Sequence, residues 1–265
     1  MSSSPVLLER SGQLAILTLD RPDRANALDL AMSEALIDAV AEVAQDVAQG
    51  VVRAVLVRAN GRQFCAGGDI ADFVAARGRL SEFLDRHIPP LHRAIHTLAT
   101  LPVPVVSALN GPVGGGGIGL ALAADIAIAA ESMKLRGGYS AIGLTPDAGG
   151  SWFLARRVGA ARAKEIFLTN EVLSARECLA MGAVSRVVAD ADLQAQALTL
   201  AETLARNATA SLGRIKMLFD GVSRRTLEEQ LDLEHQCMVA SGPTADAAEG
   251  TLAFAEKRAP VFTGR

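Results

Sequence analysis

Two glycine-bearing loops are the parts of this chain best able to do chemistry. One is Gly114-Gly115-Gly116-Gly117-Ile118-Gly119, entered from the apolar run at 102–109 through Asn110-Gly111 and leading into Leu120-Ala121-Leu122-Ala123. That order reads as strand, turn and helix N-terminus. Glycines have no side chains to shield their amides, so their N–H groups can approach a ligand closely and point at negative charge. The other loop, Ala66-Gly67-Gly68, also sits at a strand end with exposed amides. Two such loops after adjacent strands can each place one N–H on a single oxygen. The product is an oxyanion hole for an enolate or a tetrahedral oxyanion in a water-poor site.

A phosphate is the competing anion. Gly114-x-Gly116-x-x-Gly119 formally matches the dinucleotide fingerprint. A dinucleotide βαβ unit needs a crossover of at least about ten residues, yet Gly119 and the next strand, at Ile126, are separated by only about two helical turns. No Lys-Ser/Thr follows the glycines, which excludes a P-loop.

Other reactive side chains read modestly by type alone. Asp147 follows Pro146 and suits the N-cap of a helix starting near Gly149. His92 and His96 lie one helical turn apart, a spacing common on surfaces and in packing. Cys65 borders the second loop without a basic neighbour to activate it, so a packed thiol is expected. Asp69 orders its loop.

The elements that must hold these groups follow from periodicity. Residues 13–19 alternate as a strand, and Asp29 caps a helix running to about Val47. Residues 53–58 form a second strand. Residues 80–100 are helical, with Pro89-Pro90 expected to kink or restart the helix. Strands at 103–109 and 126–130 flank the glycine run. Beyond Gly150 the pattern becomes helical, over 151–158, 160–168, 174–181, 192–207, 212–219, 226–240 and 244–258, with 184–188 the one strand.

Composition narrows the partners. The chain has 265 residues, 50% hydrophobic and 21% charged, with net charge −3. One globular domain, or one domain with an appendage, fits, and neither nucleic acid nor an anionic membrane is expected to bind it. Aromatic residues make up only 4%, too few for a base-stacking platform. Cys65, Cys178 and Cys237 are an odd set without metal spacing, which points to reduced thiols in the cytoplasm. Met1-Ser2-Ser3-Ser4-Pro5 does not read as a signal peptide, and no apolar stretch of spanning length is free of glycine or charge.

The motifs now form a resemblance. Asn26-Ala27-Leu28, the block Phe64-Cys65-Ala66-Gly67-Gly68-Asp69-Ile70, the run from Pro104 to Gly111, Gly115-Gly116-Gly117, Ala123-Ala124-Asp125-Ile126 and the stretch from Gly143 to Gly150 resemble the signature blocks of the crotonase (enoyl-CoA hydratase/isomerase) superfamily. The likeness runs to Phe254-Ala255-Glu256-Lys257-Arg258, and the string around Asp147 is nearest to the phenylacetyl-pathway isomerase branch. It implies an α/β spiral of ββα turns over residues 1–200 and a helical oligomerisation region over 201–265. Homotrimers, or dimers of trimers, are implied as well. The implied substrate is an acyl-CoA thioester whose oxygen accepts from the amides of Ala66 and Gly116. Substrate contacts are implied at Arg24, Ala66, Gly68, Asp69, Ile70, Gly115, Gly116, Tyr139 and Lys257, the last reaching from a neighbouring subunit. No metal is expected, and no cofactor beyond the coenzyme A of the substrate.

Two departures bear on mechanism. The resemblance places hydratase glutamates where this chain has Gly119 and Tyr139. Without them, hydration has neither its usual general base nor its usual acid. Asp147 stands where related isomerases carry an acid/base aspartate and where 4-chlorobenzoyl-CoA dehalogenases carry a nucleophile. One carboxylate can remove a proton and return it elsewhere, so an isomerase working through Asp147 is expected. The alternatives are a hydratase with another base, a dehalogenase-like hydrolase using His92, and a non-catalytic acyl-CoA binder. Tyr139, where the dehalogenase has tryptophan, weakens the hydrolase reading.

Overall fold

Strand residues divide between two cores, and that division builds the molecule. The computed structural model describes residues 4–265; the leader reading rests partly on Met1, Ser2 and Ser3, which lie outside the described residues. In chain order the first elements are β1 (Val6–Ser11), β2 (Leu14–Leu19), α1 (Leu30–Ala48), β3 (Ala54–Ala59), α2 (Ile70–Ala75), α3 (Leu80–Thr100) and β4 (Val105–Leu109). Then come β5 (Val113–Gly114), α4 (Gly116–Leu122), β6 (Ile126–Ala130), β7 (Lys134–Arg136), α5 (Gly150–Val158), α6 (Ala160–Thr169), β8 (Val172–Ser174), α7 (Ala175–Ala180) and β9 (Arg186–Val188). The chain closes with α8 (Leu193–Ala205), α9 (Thr209–Asp220), α10 (Leu227–Ser241) and α11 (Ala245–Ala255).

The main sheet runs β1-β2-β3-β4-β6-β9, antiparallel at β1 and parallel elsewhere, and β5-β7-β8 make a small second sheet. Ala15, Leu17, Val55 and Val57 face α1 and α3 through Leu36, Val40, Ile95 and Leu98. Leu14, Ile16, Leu56 and Val106 face α8 through Leu193, Ala197 and Ala201. Both faces are covered, so the parallel strands read as continuous apolar runs.

Several expectations need correcting. The helix with two prolines does not restart; it is one element from Leu80 to Thr100. The carbonyls that Pro89 and Pro90 leave unpaired belong to exposed Asp85 and Arg86, where water can satisfy them. β8 is a second strand beyond residue 150; at three residues, paired antiparallel to β7, it is too short to show a period. The division at residue 200 cuts α8, which belongs to the sheet's second core through Ala197, Ala201 and Ala205. The helical tail proper therefore begins with α9.

Candidate functional site

The loop after β3 and the glycine run after β5 meet backbone to backbone. Cys65 forms a parallel bridge with Val113, and Leu28 forms another with Gly68. Leu28 N–H donates to the Gly67 carbonyl at 2.7 Å, and Gly114 N–H to that of Cys65 at 2.9 Å. Gly67 has φ +93°, and a Cβ there would lie 2.8 Å from the Gly114 oxygen and 3.0 Å from the Gly116 nitrogen. Only glycine fits that approach. Buried Asn26 ties in the preceding loop: its Oδ1 accepts from Arg21 N–H at 2.8 Å and its Nδ2 donates to the carbonyls of Asn60 and Gln63 at 3.0 and 2.8 Å.

This geometry reassigns one half of the expected oxyanion hole. The Ala66 N–H donates to the Ala25 carbonyl at 3.0 Å, so it is already engaged and Ala66 is not an available donor. Gly68, two residues on, borders a cavity together with Gly116 and Asp147. Gly116 opens α4, where helical amides have no partner within the helix. The amides of Gly68 and Gly116 are thus the pair that can face one oxygen.

Asp147 is not a cap. The N-cap of α5 is Gly149, with φ +76° and no side-chain cap bond. The Asp147 Oδ1 instead accepts the Tyr139 hydroxyl at 2.5 Å, within the range of charge-assisted O–H···O⁻ bonds. Burial, and then the Asp147 charge, push the Tyr139 phenol well above its ordinary value, so it stays a proton donor. The Tyr139 ring packs at 6.0 Å against Phe167, and Gly138 before it donates to Asn170 Oδ1 at 2.7 Å.

The other expected residues separate. Asp69 spends its side chain on the N-cap of α2, accepting from Ala71 N–H at 2.8 Å, and Ile70 is exposed in that helix's first turn. Gly115, with φ +49°, turns the chain into α4. Arg24 and Lys257 are exposed and do not line the cavity. His92 Nε2 accepts the N–H of Ala148 at 2.9 Å. Buried Cys65 has its thiol pushed up to about 12 by burial, which makes it inert.

Two features escaped the sequence reading. Part of the cavity's lining is aromatic: Phe73 meets Phe83 edge-on at 6.1 Å, and His87 stacks on Phe83 at 4.1 Å with Nδ1 2.7 Å from the Phe83 carbonyl. A cluster at 73, 83 and 87 spans two helices and has no single period to reveal it. The second feature is at Gly119. A Cβ built there would lie 1.8 Å from the Ala148 carbonyl oxygen. A glutamate is thus not merely missing; the backbone fills its space.

These amides and this acid are brought together at the ends of the parallel sheet, and comparison with known proteins supplies the family. The enoyl-CoA hydratase/isomerase family matches residues 9–265, and the chain belongs to that family, the crotonase superfamily. It is an acyl-CoA enzyme of the hydratase/isomerase type with the crotonase fold. A Rhodobacter capsulatus protein named "Probable enoyl-CoA hydratase" is 40% identical over the whole of both chains. The 1,2-epoxyphenylacetyl-CoA isomerase of Escherichia coli is 39% identical over 94% of each. The crystal structure of an enoyl-CoA hydratase from Bacillus anthracis superposes with a TM-score of 0.91 at 30% identity, covering 98% of this chain and all of that one.

Proposed function

We propose that the protein is an enoyl-CoA isomerase in which Asp147 carries the proton. The carboxylate removes a proton from Cα of a 3-enoyl thioester, leaving a dienolate. The amides of Gly68 and Gly116 hold the thioester oxygen as negative charge develops on it. The same carboxyl group then returns the proton at Cγ, giving the 2-enoyl thioester. The reaction is redox-neutral and calls for no cofactor beyond the substrate's own coenzyme A.

The observation that carries this reading is the cavity's composition. Gly68, Gly116 and Asp147 border one space. The other carboxylate there, Asp29, is occupied: it caps α1 by accepting from Met32 N–H at 2.8 Å and pairs with Arg21. Hydration needs a second proton-transfer group, and the Ala148 carbonyl closes the space beside Gly119. The aromatic wall of Phe73, Phe83 and His87 favours a compact or ring-bearing acyl group over a long flexible chain.

The test is turnover of 3-enoyl-CoA substrates by the wild type and by Asp147→Asn. Loss of general acid–base catalysis lowers kcat by about 100- to 10,000-fold. Unchanged turnover in the variant removes Asp147 from the mechanism. Hydration of crotonyl-CoA well above background by the wild type overturns the isomerase reading in favour of a hydratase. Tight acyl-CoA binding without turnover favours a silent binder. A panel running from ring-bearing to long-chain acyl groups tests the aromatic wall, and equal kcat/KM across it sinks that part.

The C-terminal helices support a homotrimer or a dimer of trimers. Leu227, Leu231, Met238, Val239 and Phe254 on α10 and α11 are all exposed, an apolar display that a second copy would cover. A monomeric mass by light scattering would refute it. Among the described residues no helix is long and apolar enough to cross a membrane. Three buried, unpaired cysteines fit a reducing compartment, the cytoplasm; secretion of the protein from its host would contradict that.

A further inference from the structure

We propose that His92 is a positioning residue for Asp147: its neutral imidazole holds the backbone turn that aims the carboxylate into the cavity. The inference rests on the isomerase reading above. It begins with the peptide group joining Asp147 to Ala148. The carbonyl of that peptide accepts Gly150 N–H at 2.8 Å, a bond internal to the loop. Its N–H donates to His92 Nε2 at 2.9 Å, a bond to a helix 56 residues away in sequence. His92 is therefore the anchor from outside the loop for the peptide whose rotation swings the Asp147 side chain.

The turn needs an anchor. Ala148 has φ +51°, in the left-handed region that a residue with a Cβ rarely adopts. It is fully buried, so its N–H cannot turn to water instead. Its own carbonyl is wedged against Gly119. Strained, buried backbone beside an acid persists only where the surroundings over-determine it. Here those surroundings are His92 on one side and Gly119 on the other.

The bond also fixes the chemistry available to His92. An Nε2 that accepts an N–H carries the lone pair, which leaves the ring proton on Nδ1. That nitrogen cannot activate a water without releasing Ala148. His92 is thus assigned to holding the loop rather than to the water-activating role that a dehalogenase-like reaction would require. Because α3 also supplies Phe83, His87 and Leu91 to the cavity, one helix carries both the acyl wall and the anchor of the acid loop.

The test compares His92→Ala and His92→Gln with the wild type in two measurements. One is kcat and KM for a 3-enoyl-CoA; the other is amide hydrogen exchange at Ala148 without substrate. His92→Ala should lower kcat about tenfold or more with KM within about twofold, and Ala148 should exchange faster. Glutamine offers an uncharged acceptor oxygen, and His92→Gln should recover most of kcat and of the protection. Wild-type kcat in His92→Ala overturns the proposal. So does a His92→Gln as impaired as His92→Ala while Ala148 stays protected, because proton transfer by His92 then explains the loss. If His92→Ala does not fold, His92→Gln decides on the same two readouts. If the wild type does not isomerise 3-enoyl-CoA, the isomerase reading fails by itself, and exchange at Ala148 alone decides whether His92 holds the turn.

Discussion

The glycine-loop pair and the Asp147 loop border one cavity, but they are held in place by opposite means. Gly67, Gly68, Gly115 and Gly116 are fixed mainly by backbone, through the bridges of Leu28 with Gly68 and Cys65 with Val113, and by the absence of a Cβ where Gly67 meets the Gly114–Gly116 backbone. Asp147 is held by side chains: the Tyr139 hydroxyl, eight residues back, on Oδ1, and His92, 56 residues away, on the next amide. On the proposed reading, charge stabilisation is therefore a property of the fold, whereas proton transfer is a property of a few replaceable side chains. One scaffold can then keep its oxyanion hole while the acid and base around it change.

Damage should consequently be larger and less selective in the glycine pair. Gly67→Ala forces a Cβ to within 2.8 Å of the Gly114 oxygen at a φ of +93°. Neither neighbour is a flexible side chain that can yield, so the loops must separate. We expect kcat/KM to fall about 100-fold or more, the size of losing one oxyanion donor, together with a lower melting temperature. Wild-type turnover in this variant would break the comparison, because the loop contact would then not set the amides.

A smaller and more selective effect is expected on the other side. Tyr139→Phe removes one hydrogen bond from Asp147 Oδ1 and leaves the ring packing on Phe167 in place. The expected loss is about tenfold in kcat with KM within about twofold, the size of one hydrogen bond to a charged group. A loss as large as that of Asp147→Asn would mean that Tyr139 itself transfers a proton, and the comparison would need redrawing.

The same contrast explains what could be read from the chain. Strands β2, β3, β4, β6 and β9 and helix α1 were legible because apolar period and an aspartate cap are local signals, and Asp29 does cap α1; β1 was not, because its outer half is exposed and polar. The glycine loops were legible because an amide that must be approached closely requires glycine in the sequence itself. The engagement of the expected donor, Ala66, was illegible because the Ala25 carbonyl that occupies its amide lies 41 positions away. His92, Tyr139 and the wall of Phe73 and Phe83 were illegible as a group for the same reason. Their relation to Asp147 exists only after α2, α3 and the 139–149 segment come together. Type alone made Asp147 a cap; its tertiary partners take it out of that role and suit the acid–base role proposed for it.

Cys65 gives the mildest probe, since it lies inside the glycine pair without taking part in chemistry. Its carbonyl accepts from Gly114, and a Cβ on Gly117 would lie 2.6 Å from that same carbonyl oxygen. Burial holds the thiol at about 12, against an ordinary value of 9.0. At pH 8 the folded protein then presents almost no thiolate, and access is closed as well. Iodoacetamide should leave Cys65 unmodified and activity unchanged over hours, with reaction only as fast as the loops open. Between about 9 and about 12 the unfolded thiol has lost its proton while the folded one keeps it. Unfolding free energy therefore falls as pH rises through that window and is unaffected by this group below it. Rapid labelling of Cys65 at pH 8 would show that the glycine loops open readily. The rigid half of the comparison would then be no more rigid than the half held by Tyr139 and His92.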